Sequence, residues 1–367
     1  MLIKFAVTNF RGFSERIEWD LSKHNNYEFN PYAIKNGIIK NGIIYGPNGS
    51  GKTNFSLAIF DILYHLTTQK MLIADYFENY TFASKNKEFV NFEYTFKFDK
   101  QIIEYHYSKK YKGILVKECL KVNNSQIFKK DESSFEIDNN VFNLEKSSIE
   151  NFKTNVNNAS VVNFLLLTLP LNDTEPLIKL KRFVDSMLWF CNRDKRAFIG
   201  LENGITNLEE YIISNNLLSD FAGFLEKIGR QKLELIADQF GKQILCKINN
   251  SLVPFSTIAS TGTEALKLLY FWIKRISTDA SFVFIDEFDA FYHYRLSFDI
   301  CKVLFENLQC QIFMTSHNTY LMTNDLLRPD CNFIIHNNKI RPLSECTDKE
   351  LREGHNIEKL FRNKMFD

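Results

Sequence analysis

Apolar and polar positions change their spacing several times along the chain, and each change marks a different kind of element. Leu2 to Asn9 alternates as a strand does, and Arg11-Gly12-Phe13 turns the chain out of it. Ile38-Ile39 and Ile43-Ile44-Tyr45 form a second apolar run that ends in a glycine-rich loop. From Thr53 the period becomes helical, through Phe55, Ala58, Ile59, Ile62, Leu63 and Leu66. Residues 70 to about 145 carry alternating, aromatic-rich runs such as Phe89 to Phe96 and Ile102 to Tyr107, which predict antiparallel hairpins. Residues 145 to 250 are expected to be mostly helical, with asparagine-rich breaks at Asn155–Asn158 and Asn215-Asn216. After Leu252 short apolar strands return at Ser281–Ile285, Gln311–Thr315 and Asn332–His336, separated by helical stretches. That alternation predicts an α/β fold with a largely parallel sheet. No fixed-period repeat and no sustained heptad is present, so a long coiled-coil arm is not expected. The expected division is a discontinuous core, 1–70 and 252–367, interrupted by a β-rich insertion at 71–145 and a helical lobe at 146–251.

Composition narrows the function classes. The 367 residues carry 45 Lys+Arg against 44 Asp+Glu, a net charge of +1, which argues against coating nucleic acid through global charge. The chain has 35 Phe and 15 Tyr. A general coding bias explains such an excess, but the dense share between Phe89 and Tyr111, beside lysines, is where a partner surface is expected. Seven cysteines stand far apart without a C-x-x-C pair, which argues against a disulfide scaffold or zinc module and for reduced thiols. The opening MLIKFAVTNFRGF lacks the apolar run of a signal peptide, and no stretch is long enough to span a membrane. A cytoplasmic protein without membrane contact is expected.

The candidate chemistry lies at strand ends. Gly46-Pro47-Asn48-Gly49-Ser50-Gly51-Lys52-Thr53 matches G-x-x-x-x-G-K-[ST] between a strand and a helix. Its glycines let backbone N–H groups approach phosphates, Lys52 reaches the β- and γ-phosphates, and the Thr53 hydroxyl ligates Mg²⁺. Asn54 follows on the first helical turn. Phe282-Val283-Phe284-Ile285-Asp286-Glu287 is an apolar strand ending in two carboxylates. Asp286 is placed to hold Mg²⁺, and Glu287 to polarise the attacking water. Ser260-Thr261-Gly262-Thr263 precedes a helical run, a second anion site in which Ser260 supplies a hydroxyl and Gly262 permits close approach. His317, in Ser316-His317-Asn318, follows a strand and is placed to contact a γ-phosphate.

This order of phosphate loop, Ser-x-Gly-Thr signature, Asp-Glu strand end and histidine resembles the ABC-type ATPases, and among them the compact RecF-like and OLD-like proteins. The opening Asn9-Phe10-Arg11-Gly12-Phe13 is similar to the N-terminal motif of that group. The stretch Thr347 to Phe361 resembles the C-terminal motif of AbiL/RloA-type abortive-infection ATPases. The resemblance covers both ends and the chemistry, and not the middle, roughly 70 to 250. It implies an ABC-type P-loop ATPase head with a mixed sheet, using ATP and Mg²⁺. It further implies a homodimer or higher homo-oligomer in which Ser260 and Gly262 of one subunit complete the nucleotide site of the other. Arg11 is then placed near the nucleotide and His317 becomes the switch histidine. His293, in Phe291-Tyr292-His293-Tyr294, lies where relatives carry other residues. The glutamine that couples Mg²⁺ to the inserted lobe has two poor candidates, Gln69 and Gln101. No second active site, and no nuclease set, is evident. The implied role is a switch for a separate protein effector, encoded nearby, in bacterial anti-phage defence. The alternative is a RecF-like DNA repair ATPase that binds DNA directly through lysines such as Lys109-Lys110-Tyr111-Lys112 and Lys129-Lys130.

Overall fold

A computed structural model describes residues 1–67, 79–85, 88–132, 134–138, 159–191, 198–201 and 207–366. Its centre is a seven-stranded mixed sheet. Strands β5 (Asn41–Tyr45), β11 (Met187–Cys191), β12 (Phe198–Gly200), β16 (Phe282–Asp286), β17 (Gln311–Thr315), β18 (Asn332–His336) and β19 (Lys339–Pro342) lie in the order β12-β11-β16-β17-β5-β18-β19. The five inner strands run parallel and the two edge strands antiparallel. Every residue of β5, β16 and β17 is buried, which is why these strands read as continuous apolar runs.

A second, wholly antiparallel sheet lies over the first. It joins β1 (Leu2–Thr8) and β2 (Ile17–Asp20) to β6 (Val90–Phe98), β7 (Gln101–Lys110), β8 (Ile114–Val122), β9 (Ser125–Lys130) and β10 (Phe135–Ile137), in the order β10-β9-β8-β7-β6-β1-β2. Gln311 fastens the two sheets: its side chain accepts from the Leu2 amide (2.7 Å) and donates to the Leu2 carbonyl (2.9 Å). Trp19 packs edge-on against Phe55, Phe313 and Phe333 between them. A small hairpin, β3 (Ile34–Lys35) with β4 (Ile38–Ile39), leads into β5.

Helix α1 (Lys52–Leu66) runs between the two sheets and is buried nearly all round. Toward the central sheet, Trp189 donates its indole N–H to Ser56 Oγ (2.9 Å) and Phe60 meets Phe282. Toward the antiparallel sheet, Tyr94 donates to the carbonyls of Ala58 and Ile59. The remaining described helices are α2 (Val161–Thr168), α3 (Pro176–Asp185), α4 (Leu208–Ser214), α5 (Leu218–Lys227), α6 (Phe255–Ile258), α7 (Thr261–Asp279), α8 (Tyr294–Asn307) and α9 (Ile357–Arg362).

Three expectations need correction. The stretch 146–251 is not simply helical. It supplies β11 and β12 to the central sheet, and β13 (Leu235–Ala237) and β14 (Ile244–Ile248) to a third sheet completed by β15 (Ser251–Pro254). Strands this short leave too few positions for an alternation to declare itself. The hairpins of 71–145 are not a separate lobe either, because β6 pairs with β1 along most of its length. The aromatic run from Phe89 to Tyr111 is not an outer surface: Phe92, Tyr94, Phe96, Tyr105 and Tyr107 are buried in the layer against α1. Only Tyr111 at its end is strongly exposed. All seven cysteines are free thiols, and burial raises Cys301, Cys310 and Cys331 above the ordinary range.

Candidate functional site

The C-terminal ends of the adjacent parallel strands β5, β16 and β17 meet at one place, where open α/β sheets hold their ligands. β5 delivers the phosphate loop. A Cβ on Gly46 would lie 2.6 Å from the Ile335 carbonyl oxygen and 2.6 Å from Ser50 Oγ, so only glycine fits there. Gly51 has a φ of +95° and would carry a Cβ 2.8 Å from the Phe13 ring, so Phe13 sets the floor on which the loop rests. Lys52, buried, donates to the carbonyls of Gly46 (2.8 Å) and Pro47 (3.1 Å), which holds its ammonium over the loop. Pro47, Asn48, Gly49, Ser50, Gly51 and Asn54 line a cavity of about 310 Å³, closed by Gly12, Phe13 and the turn His336-Asn337-Asn338. The N-terminus of the 15-residue helix α1 adds the positive end of its dipole.

β16 delivers the carboxylates. Thr53 Oγ1 donates to Asp286 Oδ2 (2.7 Å), and Thr315 Oγ1 donates to Asp286 Oδ1 (2.7 Å). Thr315 Oγ1 in turn accepts from the Glu287 amide (2.7 Å). Glu287 takes a left-handed backbone, φ 49°, which turns the chain sharply as it leaves the strand. One hydroxyl of β17 therefore fixes the Asp286 carboxylate and the backbone of Glu287 just beyond it. A threonine hydroxyl beside a carboxylate oxygen is a hard donor set next to a phosphate loop, and it fits Mg²⁺, which keeps phosphate and water oxygens for its other positions.

His317 is exposed just past β17. Ser316, the residue before it, donates to Asp289 Oδ2 (2.9 Å) and accepts from the Asn318 amide (2.9 Å), so the histidine stands on a braced turn. It lines a second cavity of about 350 Å³ with Tyr45, Gly46, Pro47 and His336, on which Phe361 and Phe366 also close. Burial holds the Tyr45 phenol well above its ordinary range, so it remains a neutral hydroxyl.

The structure does not bring every expected residue to the loop. Arg11 is not in the cavity lining, but its guanidinium donates to Asn54 Oδ1 (3.4 Å), which is. Ser260 and Gly262 line neither cavity. Ser260 caps α7, its Oγ accepting from the Thr263 amide (3.2 Å), and Thr263 bonds Gln231. Gly262 faces the Phe291 carbonyl beyond Glu287. His293 stands at the N-terminal boundary of α8, makes no side-chain capping bond there and is exposed. Gln101 opens β7 and bonds Lys179, away from the site; Gln69 lies outside the described residues. Thr315 and the turn 336–338 were not foreseen. The only sequence signal was a hydroxyl closing the strand before Ser316-His317, and His336-Asn337-Asn338 read as an ordinary turn.

A family profile described as "AAA domain, putative AbiEii toxin, Type IV TA system" matches residues 43–323. A comparison with curated proteins finds no significant match. Similar solved structures include the SMC head domain from Thermotoga maritima, at 17% identity, covering 93% of this chain and 98% of that one with a TM-score of 0.44. The Smc head domain of Pyrococcus furiosus bound to the C-terminal domain of ScpA is 14% identical, covering 93% and 95% with a TM-score of 0.45. Among the described residues no helix is long and apolar enough to cross a membrane.

Proposed function

The chain belongs to the AAA-domain family that matches residues 43–323, an ATPase family, and from that premise we propose an ATP-driven switch that controls a separate effector. The observation that carries this reading is the hydrogen-bonded set Thr53–Asp286–Thr315–Glu287 at the mouth of the phosphate loop. Backbone amides from Asn48 to Gly51 and the Lys52 ammonium hold the phosphates, with Asn54 and Arg11 at the loop's flank. Thr53 and Asp286 would hold Mg²⁺, which would supply neutralisation of the developing phosphate charge. Glu287 accepts a proton from the attacking water, and His317 contacts the γ-phosphate.

The same reading makes the working unit a homodimer. Ser260 and Thr261 are exposed at the N-terminus of the 19-residue helix α7, an anion-binding end outside the two cavities at the phosphate loop. The exposed apolar side chains of Ile258 and Leu252 stand close by in the chain. A second subunit's ATP meets these requirements, so ATP binding and assembly become one event. The family's toxin–antitoxin description supports an effector-linked defence role, and Thr347 to Phe361 supports a place beside the AbiL/RloA-type ATPases. The direct DNA-binding alternative loses support at two of its lysines, because Lys109 is buried against Asp61 and Lys130 is buried and donates to the Ala159 carbonyl.

Two variants test the site. Glu287→Gln keeps ATP affinity, slows hydrolysis and accumulates an ATP-dependent larger species on size exclusion. Lys52→Ala loses nucleotide binding. Unchanged ATP affinity in Lys52→Ala, or full ATPase activity in Glu287→Gln, contradicts the assignment.

A further inference from the structure

A cleft of about 800 Å³ lies apart from the phosphate-loop cavity. Its walls come from the first turn of α8, from the segment just after His317, and from residues 353–358. Its lining carries four carboxylates, Asp299, Asp325, Glu353 and Glu358, against one arginine, Arg295. Asp299 and Glu358 are partnered by Arg230 and Arg362, whereas Asp325 and Glu353 are exposed and form no ion pair with a described residue. Tyr294 and Tyr320 stand at 52% and 57% exposure with ring centroids 5.5 Å apart, a pair of aromatic faces on the same cleft.

A further group on the cleft wall points to a ligand that donates hydrogen bonds. Asn324 is 6% exposed, and its amide nitrogen donates to the carbonyls of Arg352 and Glu353, at 2.9 Å each. Those partners fix the orientation of the amide, so the other terminal atom is the carbonyl oxygen. That oxygen, Oδ1, is buried and has no hydrogen-bond partner. A buried acceptor without a donor is costly, and a ligand N–H relieves that cost.

We propose that this cleft docks an arginine- or lysine-bearing segment of a partner protein. Carboxylates attract the cation and bond it, tyrosine faces stack on a guanidinium, and the unpaired Asn324 oxygen, covered in the free protein, accepts one of its protons once the wall over it opens. Arg362 already stacks its guanidinium over Tyr320 at 5.2 Å, so this ring takes an arginine in the folded protein. The sign of the lining rejects nucleic acid, whose phosphates the acids repel. The placement ties docking to the switch. Tyr320 follows His317 by three residues, and α8 begins seven residues after Glu287. The inference rests on the effector-linked reading above for its purpose, and not for its chemistry.

The test uses the full chain and fluorescence anisotropy at low salt, with a fluorescein-labelled Arg-Gly repeat peptide, its Glu-Gly counterpart and unlabelled spermine. The Arg-Gly peptide binds saturably and the Glu-Gly peptide does not. Glu353→Gln and Asp325→Asn each weaken binding by up to about tenfold, and Tyr320→Ala weakens it as well. Glu226→Gln, an exposed acid on α5, leaves it unchanged. All four positions are exposed, so the variants fold, and a matched melting temperature verifies that. Lys52→Ala still binds the peptide, so loss of nucleotide binding and loss of docking are separable. The proposal is overturned by absent or non-saturable binding, by an equal loss in Glu226→Gln, or by spermine displacing the peptide at concentrations at which it binds the cleft variants equally well.

Discussion

Thr315 is a buried threonine at the end of an apolar strand, and its single oxygen takes the Glu287 amide while giving its proton to Asp286. Replacing it with valine keeps the shape and removes both bonds. Thr315→Val is expected to lower stability by about 1–3 kcal/mol and to reduce kcat while leaving ATP affinity close to wild type. A melting curve and a steady-state ATPase assay check both halves, and an unchanged kcat would mean that Glu287 needs no such anchor. The phosphate loop was legible in the sequence because its glycines, lysine and threonine must be contiguous to wrap one anion. Thr315 was not, because its partners lie 28 and 29 residues away and meet it only through the parallel register of β16 and β17.

Helix α1 carries Asp61 into the layer between the sheets at 0% exposure. There Tyr80 (2.6 Å), Tyr107 (2.9 Å) and Lys109 all donate to it. Burial alone would raise this carboxyl, but the Lys109 charge and these bonds hold it below the ordinary range. One turn on, His65 bonds Tyr105 (2.6 Å), and Tyr105 donates to Glu118, which also accepts from Ser160 and the Val161 amide at the start of α2. The tyrosines that first looked like a contact surface are thus the polar lining of a buried seam that steadies the nucleotide-binding helix. Their alternation predicted strands correctly. It carried no information on which face would be covered, because the cover is a helix from elsewhere in the chain. Lys109→Met takes the lysine charge away from the buried Asp61, which keeps its tyrosine donors, and should cost about 3–5 kcal/mol; adding Asp61→Asn should recover part of it, as read by chemical denaturation.

The same seam makes stability depend on pH. Burial pushes His65 below its ordinary value, so the folded protein keeps it neutral. Below about pH 6.5 the unfolded chain gains a proton there that the folded protein refuses, so stability falls with pH until the depressed native value is reached. Asp61 and Glu118, both held low, contribute stability above the ordinary carboxylate range that is lost as pH falls through their lowered values. The melting temperature should therefore drop between about pH 7.5 and about pH 5.5. His65→Gln should flatten that drop, and an equally steep drop in the variant would assign it to other groups.

At the scale of the whole molecule the α/β class and a largely parallel sheet followed from strand and helix alternation, and the mixed character of the sheet from the resemblance to ABC-type heads. The make-up of 146–251 did not, because β11 joins the central sheet from a position far from its neighbours in sequence. The assembly is the central claim, since Ser260 lines neither of the two cavities at the phosphate loop. Mixing two inactive variants tests it most directly. In a Lys52→Ala subunit paired with a Ser260→Ala subunit, one site carries both lesions and the other carries neither. If ATP is sandwiched between subunits, an equimolar mixture recovers up to about a quarter of the wild-type ATPase rate, since half of randomly paired dimers hold one intact site of two. A mixture no more active than the sum of the two variants alone would contradict the sandwich, and with it the switch.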